Sequence, residues 1–122
     1  MKILRFAWLS LLLCLPAQAQ EIEYGKGLIC DTRQQAEHLV GYLDGGVDGA
    51  LKAVNAEEHD PNACAIMAVA FVRGPQLATV RSKDKTFQLV RILVVGVETP
   101  SGFQSVVPAA FVSLFKVEEY AA

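Results

Sequence analysis

Cysteine is scarce in this chain, and the three present never form a C-x-x-C turn, so thiol redox chemistry has no motif to work through. Histidine is scarcer: His38 and His59 stand far apart, with no H-x-x-x-H spacing and no second cysteine or histidine at ligand distance beside either. That removes the zinc-protease helix, and no nucleophile elbow takes its place. Gly25-Lys26-Gly27 lacks the G-x-x-x-x-G-K-[ST] pattern of a phosphate loop and reads as a turn. Paired carboxylates occur at Glu57-Glu58 and Glu118-Glu119, where neighbours on a loop or strand are expected to point apart. The sequence therefore assigns no catalytic residue, no metal ligand and no cofactor.

A membrane span is also missing. The longest leading apolar run, residues 6–15, is too short to cross a bilayer. Lys2 and Arg5 precede it, and Pro16 with Ala17-Gln18-Ala19 follows as a small-x-small cleavage signal. Residues 1–19 read as a cleaved secretory signal peptide, and residues 20–122 as one small domain, periplasmic or secreted. Cys14 follows Leu12 and Leu13, where a lipid-anchor motif wants small residues, so it leaves with the leader. Two of the eleven basic residues and none of the thirteen acidic ones go with it. Nine bases then face thirteen acids, a net charge of −4, which speaks against nucleic acid and anionic membranes as partners.

What remains is an even pair, Cys30 and Cys64, and an oxidising compartment favours a disulfide between them. After it, Asp31 or Thr32 can cap a helix, with Gln34 or Gln35 three residues on. Ala36, Leu39, Val40 and Leu43 then fall at i, i+3, i+4 and i+7, which predicts a helix over 32–43. Asp44-Gly45-Gly46-Val47-Asp48-Gly49 resembles half of an EF-hand loop, but Gly46 and Asn55 stand where calcium needs carboxylates. The favoured reading is a glycine helix stop followed by a short second helix through Val47, Ala50, Leu51 and Val54. Residues 55–62 read as a polar surface loop broken by Asp60-Pro61.

The second half is strand-rich. Residues 63–73 are apolar on both alternating faces and end at Gly74-Pro75. Residues 76–81 form a weaker strand. Residues 87–97 form the strongest strand, its apolar rows interrupted by Arg91, which must reach water or a carboxylate. Thr99-Pro100-Ser101-Gly102 has turn chemistry, and residues 103–107 and 111–117 are the last strands. The fold expected is α+β: an N-terminal helix and a short second one, disulfide-linked to a small antiparallel sheet of four to five strands.

Gly102 followed by Val107-Pro108-Ala109-Ala110-Phe111-Val112 resembles the end of bacterial SH3-like domains, in which a Val-Pro-x-x-aromatic-Val turn leads into the closing strand. The resemblance implies a small five-strand barrel that binds peptides or cell-wall material without catalysis. The tryptophan often found upstream in that family is missing, since Trp8 lies in the leader. The chain as a whole resembles the short, uncharacterised exported proteins of many bacteria. The favoured reading is a non-catalytic interaction module that takes a protein or envelope component, or a second copy, on a sheet face or edge. Arg91, Phe103 and Phe111 are its candidate contacts. The alternatives are a small envelope enzyme using His38, His59, Asp60 and Arg91, and a calcium-stabilised protein using Asp44 and Asp48.

Overall fold

The computed structural model describes residues 21–83 and 85–117. The expected signal peptide and Glu118-Glu119 lie outside the described residues. Chain order is β1 (Ile22–Cys30), α1 (Arg33–Tyr42), a 3-10 turn (Leu43–Gly45), α2 (Val47–Glu57), β2 (Cys64–Arg81), β3 (Thr86–Thr99) and β4 (Gly102–Val117). The four strands pair antiparallel in sequence order, and β1 meets β4 through Ile29/Ser113 and Cys30/Val112 to close a barrel. Ser113 reinforces that seam by donating its hydroxyl to the Leu28 carbonyl, 3.3 Å away. No described helix is long and apolar enough to cross a membrane.

Local chemistry sets both helices. Thr32 is extended and its side chain accepts from Gln35 N, while Gln35 Oε1 accepts from Thr32 N, a complete capping box that decides between the two candidate caps. Gly46, at φ +99°, turns the chain between α1 and α2, a conformation that L side chains rarely adopt. The expected glycine stop and second helix are both present, and residues 47–55 are helix rather than calcium loop. The polar loop expected from residue 55 likewise starts later, since α2 runs on to Glu57.

The apolar faces of the two helices pack as one layer on the sheet. Ala36, Leu39, Val40, Ala50 and Val54 form a buried cluster with Cys30, Cys64, Phe87, Leu89, Val112 and Leu114. The curled sheet fills its own interior with a second cluster, Ile29, Val69, Phe71, Val90, Ile92 and Val94. Phe87 and Leu89 of β3 thus meet the helices while Val90, Ile92 and Val94 face the barrel interior, which is why apolar residues line both faces of this strand. Arg91 and exposed Leu93 lie past the helices. β2 is less fully covered than its composition suggests, since Ile66 and Met67 are exposed.

Four sequence expectations about strands are corrected. Gly25-Lys26-Gly27 is not a turn: Ile22 to Cys30 pair residue by residue with Val72 to Cys64. Gly74-Pro75 does not end β2. The ladder shifts register between Arg73 and Gln76, so the proline, which has no N–H to give, falls in an irregularity. Residues 76–81 therefore continue β2. Val107-Pro108-Ala109-Ala110 is not a turn either. It lies inside β4, where the pairing jumps from Val94/Ala109 to Gly96/Ser105 and leaves residues 106–108 out of register.

Candidate functional site

The disulfide anchors the layout. Cys30 ends β1, Cys64 begins β2, and the two are direct ladder partners joined by an S–S bond, with Cα atoms 4.0 Å apart. Asn55 secures the same corner from α2: its Oδ1 accepts from Cys64 N, and its Nδ2 donates to the carbonyls of Cys64 and Pro61.

The three expected contact residues do not form one site. Arg91 is exposed on β3 beside Val112, on the helix-side face and past the helices' cover, where it reaches solvent. Phe111 pairs with Ile92 and packs half-buried against the barrel's inner cluster, on the other face. Phe103, 44% exposed, lies at the start of β4 and meets Tyr24 of β1 edge to face, ring centroids 5.1 Å apart. Beyond it the out-of-register segment exposes Val106 and lifts Val107 to 87% exposure. The initial halves of β1 and β4 therefore present Ile22, Tyr24, Phe103, Val106 and Val107 to solvent.

Arg73 of β2 links β1 to β4 through its side chain. Its guanidinium makes two bonds of 2.9–3.0 Å to Glu23 and lies 4.1 Å over the Phe115 ring, which in turn packs near Phe71. The hydrogen bond from Arg73 holds the Glu23 carboxyl below its usual range, and the same bond raises Arg73. Sequence reading singled out Arg91 and missed Arg73, because the partner carboxylate lies 50 residues away.

Two further clusters flank the helices. A cleft of about 540 Å³ has Leu28, Leu43, Val47 and Phe87 as its apolar lining, with Lys83, Lys85 and Lys116 at its rim. Asp44 is also there, accepting from the Ser82 hydroxyl, so its carboxylate is engaged with the β2–β3 connection. A small anion with an apolar body matches such a lining.

The second cluster joins α1 to the end of α2. His38 Nδ1 stands 2.9 Å from Glu57 Oε1, and the ligating atoms of His38, Glu57 and Glu58 all lie within 4.8 Å of one another. Tyr42 Oη donates to Glu57 Oε2 at 2.6 Å, and this bond raises the phenol's pKa. Gln35 Nε2 donates to Glu58 Oε1 at 3.0 Å. The expectation that Glu57 and Glu58 point apart is corrected: α2 extends to Glu57 with Glu58 as its cap, and both carboxylates turn toward α1.

His59, at φ +54° just after α2, lines an open depression with Lys52, Asn55 and Asp60. Among the described residues no hydrogen bond or ion pair joins it to Arg91 or His38. Asp60 instead bears on Asp31, whose pKa is raised by burial first and by the Asp60 charge second.

Comparison of the chain with protein-family models, with curated proteins and with solved structures returns no match.

Proposed function

We propose that this is an exported, non-catalytic interaction module that binds a protein partner through the apolar end of its barrel. The observation that carries the reading is Val107, held 87% exposed on an out-of-register segment of β4 beside exposed Val106 and Phe103. Exposed apolar side chains brought together from two strands mark an association surface more often than a solvent face. The Tyr24–Phe103 ring pair gives that surface a rigid centre of the kind that dominates binding energies. Export is supported by the leader pattern of residues 1–19 and by the Cys30–Cys64 disulfide. The SH3-like resemblance adds the precedent of a small barrel used for binding.

A photo-crosslinking residue at Val107 tests the reading against one at Lys52, an exposed position on α2. Crosslinks formed in the envelope at Val107 and not at Lys52 are the expected result. A protein that remains monomeric by size exclusion and captures nothing at Val107 would rule the reading out.

A further inference from the structure

The geometry points to a divalent transition-metal site of zinc type, held by His38, Glu57 and Glu58 between the two helices. His38 Nδ1 is sealed from solvent and has no hydrogen-bond partner, although Glu57 Oε1 is only 2.9 Å away. This contact is an ion pair when the imidazole is protonated; with the ring neutral and Nδ1 bare, the nitrogen and the carboxylate oxygen are two electron-pair donors aimed at a common acceptor. An ion about 2.1 Å from both atoms would see them roughly 90° apart, the angle between neighbouring ligands in a six-coordinate site. The Glu58 carboxylate supplies the third ligand, and water completes the shell.

The surroundings of the trio match this assignment. Each glutamate has one oxygen held by a neutral donor, Tyr42 Oη on Glu57 and Gln35 Nε2 on Glu58. Among the described residues neither glutamate pairs with a lysine or arginine, so the two negative charges meet no fixed cation. Outer hydrogen bonds of this kind orient ligating carboxylates and are themselves worth 10–100-fold in metal affinity. Gln35 is fixed in turn by the capping box of α1, so one residue both starts the helix and aims a ligand. Nδ1 itself is covered, but the His38 and Glu57 side chains are 38% and 39% exposed, so an ion enters by a turn of these surface side chains. The disulfide removes Cys30 and Cys64 as competing ligands.

Titration of tag-free, disulfide-linked protein with zinc chloride, followed by calorimetry and by thermal melting, tests the site. One saturable ion per chain is expected, with a rise in Tm that chelator reverses. Cobalt should show a visible d–d spectrum that zinc displaces. His38→Gln and Glu58→Gln should each weaken binding at least tenfold, and Tyr42→Phe about tenfold. His59→Gln should leave it unchanged. Far-ultraviolet circular dichroism on each variant separates loss of the site from loss of the fold. Absence of saturable zinc binding by the folded wild-type protein, or undiminished binding by a folded His38→Gln variant, would overturn the assignment.

Discussion

Cys30 and Cys64 face each other as ladder partners at the last position of β1 and the first of β2, so their disulfide closes the base of the whole helical excursion. The bond spans 34 residues of sequence and, by chain-entropy reasoning, stabilises the fold by roughly 3–4 kcal/mol. Reduction should lower the stability read from urea denaturation by about that amount. Titration of unfolded, unreduced protein lacking residues 1–19 should find no free thiol. Equal denaturation midpoints with and without reductant would show that the ladder alone holds this corner.

Asn55 makes the same corner depend on a single side chain. It satisfies one backbone N–H and two carbonyls around Cys64 and Pro61, so Asn55→Ala would leave partly buried polar groups without partners. The expected cost is about 2 kcal/mol. Asn55→Asp should not rescue it, because the second oxygen would face carbonyls where the amide now donates. Equilibrium denaturation of the two variants checks both statements.

The acid response is expected to have two opposing parts. Glu23 has a folded pKa below its ordinary value of 4.5 because of the Arg73 hydrogen bond. Its contribution is present above pH 4.5 and disappears as pH falls through the lowered folded value. Asp31 runs the other way: burial and then Asp60 raise it above 3.8, so its ionisation opposes folding at neutral pH and the penalty fades as pH drops. Glu23→Gln should therefore reduce stability at pH 7 while flattening the loss on acidification. Asp31→Asn should increase stability at pH 7. Both effects are modest because Asp31 is exposed and Glu23 only half-buried, and denaturation midpoints across the acid range measure them.

Gly74 is required by close approach of backbones. A Cβ at this position would lie 2.8 Å from the Arg91 carbonyl oxygen, on the neighbouring strand. Gly74→Ala should force the β2–β3 ladder apart locally and cost about 1–3 kcal/mol. Gly27→Ala, with nothing within 4 Å of the added carbon, serves as the comparison and should be nearly neutral. Thermal melts of the two variants would fail to separate if the irregularity at residues 74–75 yields easily.

Helices and the main hairpins were legible because their signals are local. The apolar period of 3.6 through Ala36, Leu39 and Val40, the Thr32–Gln35 box and the glycine stop at Gly46 act within a turn or two of chain. The β3 strand was equally plain, since apolar residues line both of its faces apart from Arg91. β1 was not, because an exposed strand with Glu23, Gly25, Lys26 and Gly27 owes its form to backbone pairing with β2 rather than to a buried face. Pro75 and Pro108 looked like strand breaks. Register shifts absorb their missing N–H groups, and such shifts depend on the neighbouring strand.

The side-chain clusters divide the same way. Composition and spacing determined by themselves that Cys30 and Cys64 would pair, since these are the two cysteines outside the expected leader. Only tertiary structure decided that Arg73 would meet Glu23, 50 residues earlier, or that Glu57 and Glu58 would converge on His38. Residues at adjacent positions on an assumed loop diverge, but the same residues at the end of a helix are aimed by the helix. Their meeting point is set by how α2 packs on α1, a property of the shared core around Leu39 and Val54 that no local pattern contains.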